Sequence, residues 1–229
     1  MTANRASRPS IPGHRLVAIK APVFSMAKLI GVDTYLGPEM KSTGEVMGVD
    51  RSFPAALAKA LLSADLMLPP PKVDAPTGKG GGILVSLSDR TKPEAMPIVR
   101  QLASLGYHLY ATAGTAAMLE ALGLPVEQVA RRIEEGHPNV MDVIQEGLVD
   151  CVINTAEGGQ PTAMRDGFQI RRAAAERRIP CFTSIDTARA ATEALLHGAQ
   201  TYVVQPLRLY RDGQARLPDG QARLRSDRS

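Results

Sequence analysis

The chain has 229 residues and a formal net charge of +4, with 44% hydrophobic and 4% aromatic residues. The hydrophobic content suffices for a packed core, which excludes a chain that is disordered throughout. A surface on which single-stranded nucleic acid stacks needs more aromatic rings than this, and tryptophan is absent. The excess positive charge lies largely in residues 208–228, a pattern more typical of a solvated tail than of a nucleic-acid site.

Membrane-spanning and secreted proteins are also disfavoured. No apolar run approaches the roughly 18 residues that a membrane-spanning helix needs, and the start of the chain lacks the apolar segment of a secretory signal. Cys151 and Cys181 each lie in an apolar run, which favours buried, reduced thiols over a disulfide or a metal site. We therefore expect a cytoplasmic protein that binds neither a membrane nor nucleic acid.

Residues 1–15 are polar and proline-containing, which predicts a flexible lead-in. The next segment, residues 16–66, predicts two short strands and a helix that Ser52 can cap. Pro22 places the second half of the first strand at an edge or in a turn. Because so small a segment buries too little apolar surface to fold alone, we expect it to pack on the following domain or on another chain. Residues 67–82 are rich in proline and glycine and predict a linker.

From residue 83 onward, strand-like apolar runs alternate with amphipathic helical runs. This alternation is typical of an α/β fold, a doubly wound parallel five-stranded sheet with helices on both faces, over residues 83–206. The predicted strands are residues 83–87, 107–111, 126–130, 150–154 and 180–183, to which residues 202–204 can add an edge strand. The predicted helices are residues 92–105, 115–122, 140–146 and 166–178, and a last helix that Asp186 caps and that ends near residue 197. The basic tail, residues 207–229, is expected to be disordered.

Ligands of such sheets bind beyond the carboxyl ends of the strands. Small hydroxyl side chains, an amide and two cations are predicted there, and this chemistry suits a phosphate or another anion. Each residue also has an ordinary alternative role, because threonine caps helices, asparagine stabilises turns and Gly114 permits a tight turn. Together at one sheet edge they favour an anion-binding pocket. The candidate residues are Lys92, Thr112, Thr115, Arg132, Asn154 and Thr155.

The pattern predicts neither catalytic residues nor a metal site. No second carboxylate pairs with Asp89 for acid–base chemistry, and no cysteine or histidine cluster has the spacing of metal ligands. His108 alternates with apolar residues and is expected in the core or on a face of the sheet. His137 is expected to be a solvated loop residue.

Several motifs resemble the large subunit of carbamoyl-phosphate synthetase. The sequence GPEMKSTGEVMG, residues 37–48, resembles a segment near the end of the second ATP-grasp unit of that subunit. Residues 83–205 resemble the allosteric domain that ends it, which has a methylglyoxal-synthase-like fold. The matching motifs are ATAGTA (residues 111–116), EGHP (135–138), VINT (152–155) and IRR (170–172). The resemblance implies that residues 16–66 are the C-terminal remnant of an ATP-grasp lobe.

The resemblance also implies a function for the candidate pocket. Members of this family bind uridine monophosphate as an inhibitor or inosine monophosphate as an activator, and all six candidate residues fall on nucleotide-contacting positions. Arg132 stands where many bacterial members have lysine, and Ala156 stands where they often have a second threonine. Thr183 matches a contact to ornithine, a second effector, whereas Ala21 stands where ornithine-responsive members have glutamate.

At the level of the whole chain, the resemblance implies a regulatory C-terminal subunit or fragment of carbamoyl-phosphate synthetase, which supplies carbamoyl phosphate for pyrimidine and arginine synthesis. The ATP-grasp core, with its ligands for ATP and magnesium, is expected on a partner chain, as in a split subunit or a truncated relic. The glutamine amidotransferase small subunit would join through the complex, and no cofactor is expected on this chain itself.

Two alternatives stay open. A methylglyoxal synthase acting on dihydroxyacetone phosphate would use the same fold and phosphate pocket, with Asp142 as a candidate base. That chemistry usually needs a histidine over the substrate, and none follows Asn154 and Thr155, which favours a capping or surface role for Asp142. The other alternative is a stand-alone effector-binding module.

Overall fold

The computed structural model describes residues 16–24, 40–71, 81–155, 161–198 and 203–211. The expected lead-in, the start of the GPEM motif, most of the glycine-rich half of the expected linker, Ala156 and most of the basic tail lie outside these ranges. Within them, no helix has the length and apolar character needed to cross a bilayer.

The opening segment folds as an antiparallel pair of strands covered by one helix. Strand β1 (Val17–Val23) pairs with β2 (Gly44–Asp50), and helix α1 (Phe53–Ser63) follows. Ser52 caps α1 as predicted, because its Oγ accepts the N–H of Ala55 at 3.3 Å. The proline in β1 is tolerated because a strand in a two-stranded sheet always has one edge without a partner strand.

Five parallel strands form the main sheet in the order β5–β4–β3–β6–β7. The strands are β3 (Gly82–Ser86), β4 (His108–Thr112), β5 (Glu127–Val129), β6 (Val149–Asn154) and β7 (Cys181–Phe182). The helices are α2 (Lys92–Ser104), α3 (Ala113–Ala121), α4 (Val140–Gln145), α5 (Pro161–Glu176) and α6 (Ile185–Glu193), which continues as a π-turn over Ala194–Gly198. The predicted doubly wound α/β fold is confirmed.

The last two predicted elements differ from the observed ones. Ser184, not Asp186, caps α6: Ser184 is the last extended residue, and its Oγ accepts the N–H of Thr187 at 3.5 Å, whereas Asp186 already lies in the first turn. Residues 203–206 have no regular secondary structure, so the described part of the chain contains no sixth strand in this sheet.

The beginning of the basic tail is ordered, contrary to the expectation of disorder. Residues Leu207–Arg211 form a short helix, α7, and Tyr210 within it is buried. The reason lies on α1, where the Nζ of Lys59 is 2.6 Å from the Oη of Tyr210 and 2.7 Å from the carbonyl oxygen of Val203. The same ammonium group contacts Asp50 Oδ2 at 2.7 Å, so one mostly buried cation joins the opening segment to the end of the described chain.

The opening segment packs on the main domain, one of the two possibilities expected for it. Leu57 and Leu61 of α1 share one apolar core with Ala188 and Ala191 of α6. Leu68, in the proline-rich half of the expected linker, is 2% exposed and belongs to the same core. Each buried leucine contributes about 1.5–3 kcal/mol of transfer free energy, so this contact is substantial.

Both ends of the stretch between α1 and β3 are attached to the main domain. The Oη of Tyr107 donates to the carbonyl oxygen of Pro69. The N–H of Gly81 donates to Asp150 Oδ2 at 2.6 Å. Burial raises the pKa of Tyr107, so its hydroxyl stays protonated and able to donate.

The two cysteines occupy neighbouring strands as free thiols. Cys151 is fully buried in β6, where desolvation raises the pKa of its thiol, as suits an unreactive core residue. Cys181 of β7 is only partly buried, so the expectation of two buried thiols holds fully for the first alone.

Candidate functional site

A cavity of about 500 Å³ opens at the carboxyl ends of β3, β4 and β6, beside the start of α3. Five of the six candidate residues line it: Lys92, Thr112, Thr115, Asn154 and Thr155. The other charged lining residues are Asp89, Arg131 and Glu135. The topology of the sheet therefore brings together side chains that are up to about sixty positions apart in sequence.

Two of the threonines brace the loop that leaves β3. Thr115 Oγ1 accepts the N–H of Leu87 at 3.1 Å, and Thr155 Oγ1 accepts the N–H of Ser88 at 2.9 Å. The hydroxyl of Thr155 also shares a hydrogen bond of 2.7 Å with the hydroxyl of Thr91. Both bracing threonines are almost fully buried, so their first effect is to hold the loop that precedes Lys92 in place.

The amino end of α3 borders the cavity through Ala113, Gly114 and Thr115. Thr112 occupies the capping position but its side chain makes no capping hydrogen bond to the helix; its Oγ1 lies 3.4 Å from Ser86 Oγ instead. The helix begins two residues earlier than predicted, which places Gly114 in its first turn. Since the first N–H groups of a helix carry partial positive charge, this wall of the cavity favours an anion.

Lys92 reaches across to this helix end. Its Nζ donates to the carbonyl oxygen of Gly114 at 2.8 Å and forms an ion pair with Asp89. The Lys92 side chain is 18% exposed, whereas that of Asp89 is 84% exposed. The hydrogen bond from Lys92, followed by its charge, lowers the pKa of Asp89, which therefore stays ionised at neutral pH. An anion that enters the cavity must compete with this carboxylate for the ammonium group.

Asn154 is held from behind by a buried arginine. Arg171 Nη1 on α5 donates to Asn154 Oδ1 at 2.8 Å, and both residues are 1% exposed. Asn154 Nδ2 lies 3.5 Å from the carbonyl oxygen of Ser86. Gly167, one turn before Arg171 on α5, leaves room for this guanidinium, since a Cβ there would be 2.6 Å from Arg171 Nη1 and 3.3 Å from Asn154 Oδ1. The amide of Asn154 is thus oriented with its oxygen towards the cation and its donor group towards β3.

The structure separates Arg132 from the other candidate residues. Arg132 does not belong to the described residues that line the cavity, and its neighbour Arg131 does. The backbone N–H of Arg132 donates to Glu135 Oε2 at 3.2 Å, and its Nε lies 3.9 Å from Glu135 Oε1. Thr183 is also outside the lining, after the edge strand β7.

Residues 94–183 match the family model of the MGS-like domain. The carbamoyl phosphate synthase large chain of Thermomicrobium roseum is 53% identical over 206 residues, which cover 90% of this chain and 18% of that protein. The carbamoyl phosphate synthase large chain, C-terminal section, of Methanopyrus kandleri is 48% identical over 180 residues, which cover 79% of this chain and 31% of that protein. The chain is homologous to the C-terminal part of carbamoyl phosphate synthase large chains. It spans less than a third of the length of these relatives.

Two ionisable groups of the MGS-like domain form a pair outside the cavity lining. His137 Nδ1 lies 2.6 Å from Asp142 Oδ2, and Asp142 also accepts the N–H of Asn139 at 2.9 Å. These contacts lower the pKa of Asp142, the backbone hydrogen bond from Asn139 having the largest effect and that from His137 the next. Asp142 therefore has the predicted capping role at α4, and His137 is an exposed loop residue as predicted.

His108 lies on a face of the sheet, one of the two positions expected for it, and not in the core. It is exposed at the start of β4, with its ring against that of Tyr110 and its Nε2 3.2 Å from Glu127 Oε2. Residues two apart on a strand share a face, and the position at the strand end gives His108 access to solvent. Within the described ranges, no group of three or more histidine, cysteine, aspartate or glutamate side chains is placed to hold a metal ion.

Sequence reasoning missed two residues of this site. In the sequence Arg171 stands out only within the IRR motif, although an arginine next to an isoleucine on an amphipathic helix is a signal for a buried polar contact. Arg131 stands beside the candidate Arg132, and two adjacent arginines after a strand do not reveal which of them lines the cavity.

Proposed function

We propose that this chain is the effector-binding regulatory part of a carbamoyl phosphate synthase, and that its cavity takes the phosphate of a nucleoside monophosphate, UMP or IMP. The observation that carries the proposal is the position of Lys92, whose ammonium lies over the first turn of α3 at the cavity wall. A lysine and a helix amino end that converge on one open space are the usual elements of a phosphate site.

The shape and the remaining polar groups support a nucleotide rather than a bare anion. A cavity of about 500 Å³ falls within the range of about 300–1,000 Å³ that is typical of small-molecule sites. Thr112 and Asn154 add a hydroxyl and an amide to its lining, beside the hydroxyls of Thr115 and Thr155. We propose these five lining residues, including Lys92, as effector contacts, and Thr183 stays a weaker proposal for a second effector.

The packing of α1 supports a regulatory role. The unit made of β1, β2 and α1 shares its apolar core with α6. A structural change at the edge of the sheet can therefore be transmitted to this unit through packed side chains. We propose that the unit contacts a region bearing the ATP-grasp core, which would hold ATP and magnesium, with the glutamine amidotransferase joined through the complex. Coupling of about 1–3 kcal/mol between effector and lobe is typical of such systems.

Calorimetric titration of the chain with UMP and with IMP tests the proposal. We expect saturable binding of at least one of them, and Lys92→Gln should weaken it about ten- to a hundredfold through loss of a charge-assisted hydrogen bond. Lys20→Gln is the matched control, because Lys20 is an exposed lysine of β1 paired with Glu45 and should leave the affinity within about twofold. Absence of binding of both nucleotides at millimolar concentration would contradict the proposal.

The geometry does not favour a methylglyoxal synthase. Its candidate base, Asp142, caps α4 and is not among the lining residues. The carboxylates that do line the cavity, Asp89 and Glu135, lie beside Lys92 and Arg132. An assay for methylglyoxal formation from dihydroxyacetone phosphate distinguishes the two functions, and we expect no product above the uncatalysed rate.

A further inference from the structure

We propose that residues 203–211 form a clasp that holds the opening segment against the main domain, and that the clasp detaches as a separate step while both of these parts stay folded. The clasp consists of residues 203–206, which have no regular secondary structure, and of helix α7. The inference goes beyond the proposed function, because this conformational step of the chain needs no effector.

Tyr210 anchors the clasp on α1. It is the one buried side chain among residues 203–210, and its hydroxyl accepts a hydrogen bond of 2.6 Å from Lys59 Nζ and donates one of 2.8 Å to the carbonyl oxygen of Val203. The ammonium group of Lys59 also lies 4.9 Å from the centroid of the tyrosine ring, a distance at which the face of the ring attracts a cation. The clasp is therefore closed mainly by one aromatic side chain and one lysine.

Helix α7 depends on this anchor. It has five residues, and isolated helices shorter than about 12 residues are marginal in water. Val204 and Leu207 of the clasp are exposed, so they offset little of the entropy lost when the segment is ordered. Elements with few buried side chains open locally at a lower free energy than the core does. We therefore expect the clasp to detach before β3 and β6, whose residues are almost all buried, begin to separate.

Lys59 keeps a charged partner when the clasp detaches. More oxygens lie within hydrogen-bond distance of its Nζ than the three N–H groups of an ammonium can serve at once: those of Val49 (3.1 Å), Asp50 (2.7 Å), Val203 (2.7 Å) and Tyr210 (2.6 Å). The first two belong to β2 and the last two to the clasp. Detachment leaves the ammonium with the carboxylate of Asp50, so it avoids the large penalty of a buried charge without its partner.

Detachment of the clasp changes how firmly the opening segment is held. Leu57 and Leu61 of α1 keep their apolar contacts with α6, so the segment stays on the main domain. The segment loses the polar contacts from Lys59 to residues 203 and 210. Amides of α1 and of the end of β2 should then exchange more easily with solvent, while those of the main sheet do not. The clasp thus sets the mobility of the unit made of β1, β2 and α1.

Hydrogen–deuterium exchange of the full chain, read by mass spectrometry of its peptides, tests the inference. In the wild type, we expect residues 207–211 to exchange at least about tenfold faster than α1 and β3. Tyr210→Ala should remove the remaining protection of residues 207–211 and speed exchange in α1 and at the end of β2 about three- to tenfold, with β3 and β6 within about twofold of the wild type.

Leu207→Ala is the matched control. It shortens an exposed side chain of the same helix and introduces a strong helix former, so exchange should stay within about twofold of the wild type in every element. A clear increase of exchange in α1 for this variant would show that the effect does not come from the anchor.

Several results would overturn the inference. If residues 207–211 of the wild type exchange as slowly as β3, the clasp does not detach by itself. If Tyr210→Ala speeds exchange equally in all elements, or fails to fold, residues 203–211 are an integral part of the global fold. Unchanged exchange in α1 and β2 of Tyr210→Ala would show that these residues do not hold the opening segment. The nucleotide titrations test the proposed function independently of all these results.

Discussion

The side chains of Asn154 and Lys92 are held in place by other residues of the protein, without a ligand. The amide of Asn154 is turned by Arg171, and the ammonium of Lys92 is held by Asp89 and by the end of α3. Preorganised groups lose little conformational entropy on binding, which favours affinity. The ion pair between Asp89 and Lys92 lowers the affinity for an anion, because a phosphate must displace the Asp89 carboxylate from the Lys92 ammonium group.

Substitution of Asp89 by asparagine should therefore strengthen anion binding. The competing carboxylate disappears, a like charge leaves the cavity lining, and we expect affinity for phosphate or nucleotide to rise about two- to tenfold at low salt. Calorimetry against Asp186→Asn measures this, since Asp186 is an exposed aspartate paired with Arg189 on α6 and loses the same charge outside the cavity. A weaker affinity in Asp89→Asn would show that this carboxylate mainly positions Lys92.

At the scale of elements, the periodic hydrophobic pattern was enough to predict the alternation of strands and helices and the edge of the sheet at which the cavity lies. The ends of the helices and strands were harder to predict. At the start of α6, Ser184 and Asp186 are both good capping residues, and only the backbone conformation of Ser184 decides between them. That Arg131 and not Arg132 is among the described lining residues was equally hidden, since both lie in the bend after β5, whose course depends on packing.

The short helix α4 offers a test of capping that depends on pH. The pKa of Asp142 is lower in the folded chain than its ordinary value of 3.8, so ionised Asp142 stabilises the fold above that value. This stabilisation is lost as pH falls through the lower pKa of the folded state. Asp142→Asn should thus unfold at a lower temperature than the wild type near neutral pH, and the gap should close in acid.

Thermal unfolding of Asp142→Asn from about pH 7 down to about pH 3 measures this gap across the range where carboxylates titrate. Glu146→Gln is the control, because Glu146 lies at the carboxyl end of the same helix, where a negative charge is not favoured. If the difference in unfolding temperature between the wild type and Asp142→Asn persists unchanged in acid, the loss of stability comes from altered hydrogen bonding or packing and not from the lost charge.

On the scale of the whole molecule, Lys59 joins parts of the chain that are far apart in sequence. It contacts Val49 and Asp50 of β2 together with Val203 and Tyr210 near the end of the described chain. Lys59→Met leaves the carboxylate of Asp50 mostly buried without this partner and should destabilise the fold by about 2–4 kcal/mol, somewhat less than for a fully buried pair.

Urea unfolding measures this loss, and Tyr210→Phe is the graded control at the same cluster. It removes one hydroxyl, which also donates to the carbonyl oxygen of Val203 at 2.8 Å, and should cost about 0.5–1.5 kcal/mol. Equal effects of the two substitutions would show that the charge of Lys59 adds nothing to the cluster. The sequence could not predict this contact, because a lysine in an alanine-rich helix and a tyrosine in a basic tail carry no mutual signal.

The attachments at Pro69 and Gly81, together with the packing of α1, show how the opening segment is held. Pro69 is bonded to Tyr107 and Gly81 to Asp150 of the main domain, and α1 shares the apolar core of α6. Noncovalent contacts therefore join the opening segment and the main sheet into one folding unit. The coupling that we propose between the cavity and α1 thus has tightly packed apolar side chains as its route.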